Sequence, residues 1–331
     1  MRGLALIATP ILLTGCGHYA NFTLPALAGG DPQAGYSWQP QSTPILGPGT
    51  KWDSHDALNP SVVDGREMFY SGYDGKTWRT LHARSDDGIY WYKIGLVIEP
   101  NPTTWESNYI GANGSALHYA GEYWYWYVAG SKEQPRIGVA RSADAQSWRK
   151  APTPVLDTGP RAAWDERGVA DPYVIRIEPY FYLFYLGQDR ARRQRLGVAR
   201  SQDGLSWEKL RSNPILELGD FGSFDENGLG EPAVWSDRGY YWMLYTGRDV
   251  HENRRLGFAR SMDGVHWRKL PMVLAGAEAW DSKVICDPTV QINGSEVRVW
   301  FGGGDVAHPA ENIHGQIGYG TLRPVSATLA K

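Results

Sequence analysis

The sequence predicts an all-β protein, a five-bladed β-propeller of four-stranded antiparallel blades closed by its N-terminal strand. Three observations carry this: a repeated phrase, the strand-like runs around it, and five matching strand openings. The phrase A-R-S-x-D-G-x-x-W occurs at Ala83–Trp91, Ala140–Trp148, Ala199–Trp207 and Ala259–Trp267, with Ala145 replacing Gly in the second copy. Its serines, Ser85, Ser142, Ser201 and Ser261, are 57, 59 and 60 residues apart. A period of this size with strand-like composition indicates radially arranged units.

Within each unit the elements follow in order. In the third repeat they are Asp171–Ile177, Tyr180–Gly187, Arg195–Ser201 and, past the Asp-Gly turn, Trp207–Leu210. The fourth repeat matches run for run, from Glu231-Pro232 through Tyr240–Gly247 and Arg255–Ser261 to Trp267–Leu270. Short runs rich in Val, Ile, Tyr, Phe and Trp, bounded by turn residues, read as antiparallel strands. Asp-Gly supplies the tight turn, because Gly tolerates positive φ and Asp bonds its own following backbone. No stretch has a sustained helical period, and 15 Trp and 19 Tyr suit sheets packed face to face.

The strand openings set the count. They begin at Asn59, Asn113, Asp171, Glu231 and Asp287, each seven or eight residues after the aromatic of an aromatic–acidic pair. The pairs are Trp52-Asp53, Trp105-Glu106, Trp164-Asp165, Phe224-Asp225 and Trp280-Asp281. The fifth unit lacks its own turn phrase. Ser37-Trp38 followed by Pro44-Ile45-Leu46 resembles Ser206-Trp207 followed by Pro214-Ile215-Leu216. The N-terminal segment is therefore expected to pair with Gln316–Leu322 and close the ring. The propeller spans 37–324, with a C-terminal tail at 325–331.

The first residues read as a processing signal: Arg2 is positive, Gly3–Leu13 is an apolar core, and Leu13-Thr14-Gly15-Cys16 resembles a bacterial lipobox. Residues 1–15 are then a signal peptide, Cys16 the lipidation site and 16–36 a flexible tether. The expectation is a monomer, lipid-anchored in the bacterial cell envelope at the outer membrane. Cys286, the only other cysteine, reads as a small buried core residue. A net charge of −3, from 33 Lys+Arg against 36 Asp+Glu, signals no basic face for nucleic acid and fits a neutral partner.

The connectivity of antiparallel blades puts the five strand openings on one mouth of the central channel. Loops after the second strands add Asp189, Arg248, Asp249 and His314 there. Asp-Gly turns recur in most repeats and read as structural. The openings vary as Asn, Asn, Asp, Glu, Asp inside a fixed frame, which suggests distinct roles. Three carboxylates on one mouth suit acetal cleavage, in which one acid protonates the departing oxygen and another carboxylate activates water or attacks carbon. Crowding raises one pKa and keeps that group protonated. Glu231, with the longer reach, is the natural acid.

Ala170-Asp171-Pro172, Gly230-Glu231-Pro232 and the repeated Y-x-G…L-G-x-A-R-S-x-D-G-x-x-W resemble the five-bladed glycosidase propellers, glycoside hydrolase families 43 and 62, with 32, 68 and 130 as relatives. The resemblance covers Ser37–Leu322 and implies an Asp base in blade one, a tuning Asp, then a Glu acid. Asp171 and Glu231 match the last two. The blade-one position is Asn59, and Asp56 lies three residues earlier. The base is then supplied by Asp56, supplied by Asp287, or absent. The lack of an Asp at the Asn-Pro also counts against fructan chemistry. Expected substrate contacts are Asn59, Asn113, Arg248, Asp189, Asp249 and His314, with Trp52, Trp105 and Trp164 as platforms for sugar faces. No cofactor is required, and the channel leaves room for a structural calcium. Two other readings stand beside the hydrolase: a non-catalytic glycan-binding lipoprotein on the same scaffold, and a glycoside phosphorylase.

Overall fold

The computed structural model describes residues 19–325. A 3-10 turn at Ala279–Asp281 is the one helical element among the described residues, and no helix there is long and apolar enough to cross a membrane. Two strands precede the repeats, β1 (Tyr19–Ala20) and β2 (Gly35–Pro40). The first repeat is the antiparallel series β3 (Asp56–Val63), β4 (Glu67–Tyr73), β5 (Trp78–Arg84) and β6 (Tyr92–Ile98). The second is β7 (Ile110–Tyr119), β8 (Glu122–Ser131), β9 (Gln134–Ser142) and β10 (Arg149–Lys150). The third is β11 (Gly168–Ile177), β12 (Tyr180–Gln188), β13 (Gln194–Ser201) and β14 (Glu208–Leu210). The fourth is β15 (Gly228–Asp237), β16 (Tyr240–Arg248), β17 (Arg254–Ser261) and β18 (Arg268–Leu274).

The last repeat comprises β19 (Val284–Asn293), β20 (Glu296–Gly304) and β21 (Gln316–Val325), and β2 pairs with β21. Trp38 lies opposite Leu322, and Leu46 bridges Ile317. Short parallel bridges at Trp78–Ile110 and Arg254–Val284 merge neighbouring repeats, so the hydrogen-bonded network is three sheets. The first strands touch in cyclic order, β3 to β7, β11, β15, β19 and back to β3.

The turn phrase does two jobs. Gly204 N donates to Ser201 Oγ at 2.9 Å, while Leu205 N and Ser206 N donate to Asp203 Oδ1 at 2.8 Å each. Gly204, at φ 72°, leaves its carbonyl free to accept from Trp126 Nε1 of the preceding repeat at 2.9 Å. Trp300 Nε1 docks on Gly88 O in the same way, at 2.8 Å. The phrase therefore closes one turn and fastens the neighbouring sheet.

The aromatic–acidic pairs are a second fastening. Trp164 lies across Gly187 and Gly197, where a Cβ would come within 2.3 and 2.5 Å of its ring. Phe224 covers Gly247 and Gly257, Trp280 covers Gly303 and Gly318, and Trp105 covers Gly138. Four of the five acidic partners are clasped by a Tyr and a Lys. Asp165 Oδ2 accepts from Lys209 Nζ at 2.5 Å and Tyr185 Oη at 3.3 Å. Asp53 has Lys93 and Tyr70, Glu106 has Lys150 and Tyr127, and Asp225 has Lys269 and Tyr245. Second and outer strands of one repeat are thereby tied to the segment that enters it.

Residues 19–34 are not the loose tether their composition suggests. β1 pairs in parallel with β14. Leu24, 1% exposed, donates its N–H to Asp263 O at 2.8 Å and packs beside Gly264. Tyr241 Oη and Tyr240 Oη donate to the carbonyls of Pro25 and Gly30 at 2.8 and 3.0 Å. Ala, Gly and Pro serve here because a close-fitting extended strap needs small side chains and free carbonyls. Cys16 and the rest of 1–18 lie outside the described residues, as do 326–331.

Candidate active site

The five strand openings share one conformation. Asn59, Asn113, Asp171, Glu231 and Asp287 have φ of 49, 55, 50, 46 and 52°. Each sits at a bulge, where the first strand slips register against the second: between Leu58 and Ser61, Ala112 and Ser115, Ala170 and Tyr173, Gly230 and Ala233, and Cys286 and Thr289. Left-handed backbone costs an L-residue roughly 1–2 kcal/mol, less for Asn and Asp than for Glu. Such strain persists where surrounding structure imposes it, often at functional sites. The bulge re-aims each side chain toward the channel. All five residues line one cavity of about 240 Å³ on one side and a void of about 30 Å³ on the other.

The acidic members crowd together. Reactive atoms of Glu231, Cys286 and Asp287 lie within 4.8 Å of one another. Asn113 Nδ2 donates to Asp171 Oδ1 at 2.6 Å, and Cys286 Sγ donates to Asp287 Oδ2 at 3.0 Å. Glu231 Oε2 is buried with no hydrogen-bond partner. Burial and the Glu231 charge push the Asp171 carboxyl up to about 8. The same two causes push Asp287 well above the carboxylate range, against the pull of Cys286 and Arg254. Burial also keeps Cys286 a thiol, and so a donor. Two carboxylates and a thiol beside the Arg254 guanidinium do not match the six to eight oxygen ligands that calcium takes.

Other expected site residues lie elsewhere. Asp56 is fully buried outside the cavity, and its carboxylate accepts from the backbone N–H groups of Asn312, Ile313 and Gly315 at 2.6, 3.1 and 2.7 Å. A carboxylate so occupied holds the 312–315 loop and does not line the cavity. Trp105 and Trp164 fill glycine slots between strands, and Trp52 packs on the core formed around Tyr70 and Trp300, with Lys51 Nζ 3.7 Å from its ring centroid. None of the three lines the cavity. Asp189 and Asp249 organise their own turns, each accepting two backbone N–H groups, and His314 pairs with Asp305 in solvent at 2.7 Å. Arg248 does line the cavity.

Sequence reasoning missed Trp78, Tyr109, Gln188 and Gln194, which form much of the wall. A signal was present. Trp78, Pro135, Gln194 and Arg254 each stand five residues before a turn phrase, and all four line the cavity. They open the third strands, whose starts share the mouth with the first.

Over residues 67–218 the chain matches the family of glycosyl hydrolases family 32 N-terminal domains. That span includes Asn113 and Asp171 but not Asn59, Glu231 or Asp287. Two Mycobacterium tuberculosis relatives, from strains CDC 1551 and H37Rv and both uncharacterized, are 30% identical over 226 residues, covering 64% of this chain and 75% of theirs. A solved glycoside hydrolase superposes with a TM-score of 0.70 at 18% identity, over 88% of this chain and 95% of that one. A family 117 glycoside hydrolase of the marine bacterium Zobellia galactanivorans gives 0.65 at 17%, over 86% and 90%. The chain therefore belongs to the family of the two mycobacterial proteins, carries a match to the family 32 N-terminal domain over 67–218, and has the fold of the solved glycoside hydrolases.

Proposed function

We propose that the chain is a glycoside hydrolase that cleaves oligo- or polysaccharide at the cavity floor, with Glu231 as proton donor and Asp287 as the second carboxylate. The observation that carries this is the buried, unpartnered Glu231 Oε2 within 4.8 Å of Asp287. An unpaired carboxyl oxygen buried beside another carboxyl is costly unless chemistry uses it. In this proposal the proton that burial and the Glu231 charge hold on Asp287 at rest passes to Glu231, whose free oxygen faces the glycosidic oxygen. Asp287 then carries the negative charge, supported by the Cys286 thiol and by Arg254. Asp171 keeps its proton near neutral pH and keeps a further charge from suppressing the pair.

Asn59 supplies no carboxylate and Asp56 is consumed by backbone, which leaves Asp287 for the second role and argues against fructan-type catalysis. The short Glu231–Asp287 separation is nearer the ~5–5.5 Å of retaining enzymes than the ~6.5–9.5 Å of inverting ones. A screen of aryl glycosides and polysaccharides, with proton NMR of the first-formed anomer, tests this. Net retention is expected. Inversion, or no turnover across the screen, would remove Asp287 or the enzyme reading respectively.

In the same reading the five antiparallel series are blades of one ring, closed where β2 completes the last. The cyclic contact of first strands supports this. An experimental structure in which β19 does not return to β3 would overturn it. We also propose that Cys16 carries the lipid of an envelope anchor. Because the chain is already packed at Tyr19, such an anchor would hold the propeller close to the membrane. Cys16→Ser is expected to move the protein to the soluble fraction, and unchanged fractionation would refute the anchor.

A further inference from the structure

Two arginines line the cavity, and the protein hydrogen-bonds the guanidinium of only one. Arg254 is buried, and its Nη2 donates to the carbonyls of His308 and Pro309 at 2.8 Å each. Its charge faces Cys286, Glu231 and Asp287. Arg248, at the end of β16, has no such fixture. Its ion-pair partner, Glu252, lies 3.3 Å from Nε without hydrogen-bond geometry, so that Arg248 Nε and Glu252 Oε2 are both buried without a hydrogen bond and the other guanidinium donors stay unused. The space beside the guanidinium is kept open by a glycine. A Cβ at Gly228 would stand 3.2 Å from Arg248 Nη2, 3.4 Å from Nε and 2.9 Å from Gln194 Oε1. Gln188 lines the same cavity.

A guanidinium fork with unused donors matches the plane of a carboxylate. Neutral amides beside it donate without adding charge. We propose that Arg248, with Gln188 and Gln194, forms a subsite for the carboxylate of a hexuronosyl unit, so that the substrate is an acidic glycan. The cleavage of that glycan rests on the hydrolase reading; its binding does not. Inorganic phosphate, a tetrahedral dianion, would call for more positive charge than this wall holds, since the Lys132 ammonium is paired with Glu311 at 2.9 Å. The floor does not repel an anion as three ionised carboxylates would, because Asp171 keeps its proton up to about pH 8.

Calorimetry on the intact propeller tests the subsite independently of turnover. The probes are galacturonate, glucuronate and mannuronate trisaccharides, each with its carboxyl-reduced twin, and inorganic phosphate alone. At least one acidic probe is expected to bind wild type about 10-fold or more tighter than its neutral twin, the scale of a hydrogen-bonded charged group. Arg248→Gln should erase that preference while leaving the neutral twin's affinity in place, and Arg248→Lys should retain part of it. Equal affinity for every pair, no binding of any acidic probe, or a preference that survives Arg248→Gln would overturn the proposal. So would Arg248-dependent binding of phosphate without any uronate preference. If acidic probes bind through Arg248 but no glycan is cleaved, the subsite stands and the hydrolase reading falls.

Discussion

Asp165 and Asp171 are six residues apart, and they show what a carboxylate does in each of two settings. Asp165 is fully buried, with Lys209 Nζ at 2.5 Å and Tyr185 Oη at 3.3 Å. Asp171 is almost as buried but has no cationic partner of its own; it holds Asn113 at 2.6 Å and feels the Glu231 charge. The first arrangement recurs at Asp53, Glu106 and Asp225, always with a Tyr from the second strand and a Lys from the outer strand. The second is confined to the strand openings, where the backbone is left-handed. A clasped carboxylate is taken up by its Lys and Tyr and joins strands. The unclasped Asp171 and Asp287 are pushed toward their protonated forms, which puts protons within the cavity. The last repeat marks the boundary of the rule. Phe301 stands where the other repeats have Tyr, and Pro40 where they have Lys, so Asp281 instead accepts from Glu278 N at 2.8 Å.

The comparison breaks most readily at a clasp. Lys209→Met leaves Asp165 buried and unpaired, and a loss of about 3–5 kcal/mol is expected in urea unfolding. Turnover per folded molecule should not change. A loss below about 1 kcal/mol would mean that the clasps do not hold the repeats together.

A smaller effect separates the second class by pH. The folded Asp171 carboxyl has its pKa raised to about 8, so the folded state binds its proton more tightly than the unfolded chain does. Its contribution to stability is complete below the unfolded value of roughly 4 and is lost as pH rises through about 8. The melting temperature of wild type should therefore decline across that window more steeply than that of Asp171→Asn. Parallel profiles would show that Asp171 is ionised in the native state.

Much of this was legible in the sequence, for identifiable reasons. Strand type and the β2–β21 pairing follow from local composition and from the turn phrase, in which Ser201 and Asp203 act on backbone within three residues. The placement of Asp171, Glu231 and Asp287 together follows from repeat symmetry. Partner identity was not legible. Nothing local to Asp56 announces the amides of Asn312, Ile313 and Gly315, some 256 residues away. Trp164 looks like a sugar platform until Gly187 and Gly197, which belong to other strands, are seen beneath it. The strap at 19–34 failed for the same reason: small residues suit a loose linker and a tightly laid one alike.

The central claim, that the unclasped Glu231 gives its proton to the departing oxygen, is tested most directly by Glu231→Gln assayed on aryl glycosides of graded leaving-group pKa. The exchange keeps the shape and hydrogen-bonding capacity of the side chain and removes only the proton. For poor leaving groups the rate is expected to fall roughly 10²–10⁴-fold, the scale of a lost general acid, while good leaving groups lose far less and stability stays near wild type. A uniform loss across the series, or full activity on the poorest leaving group, would contradict the assignment.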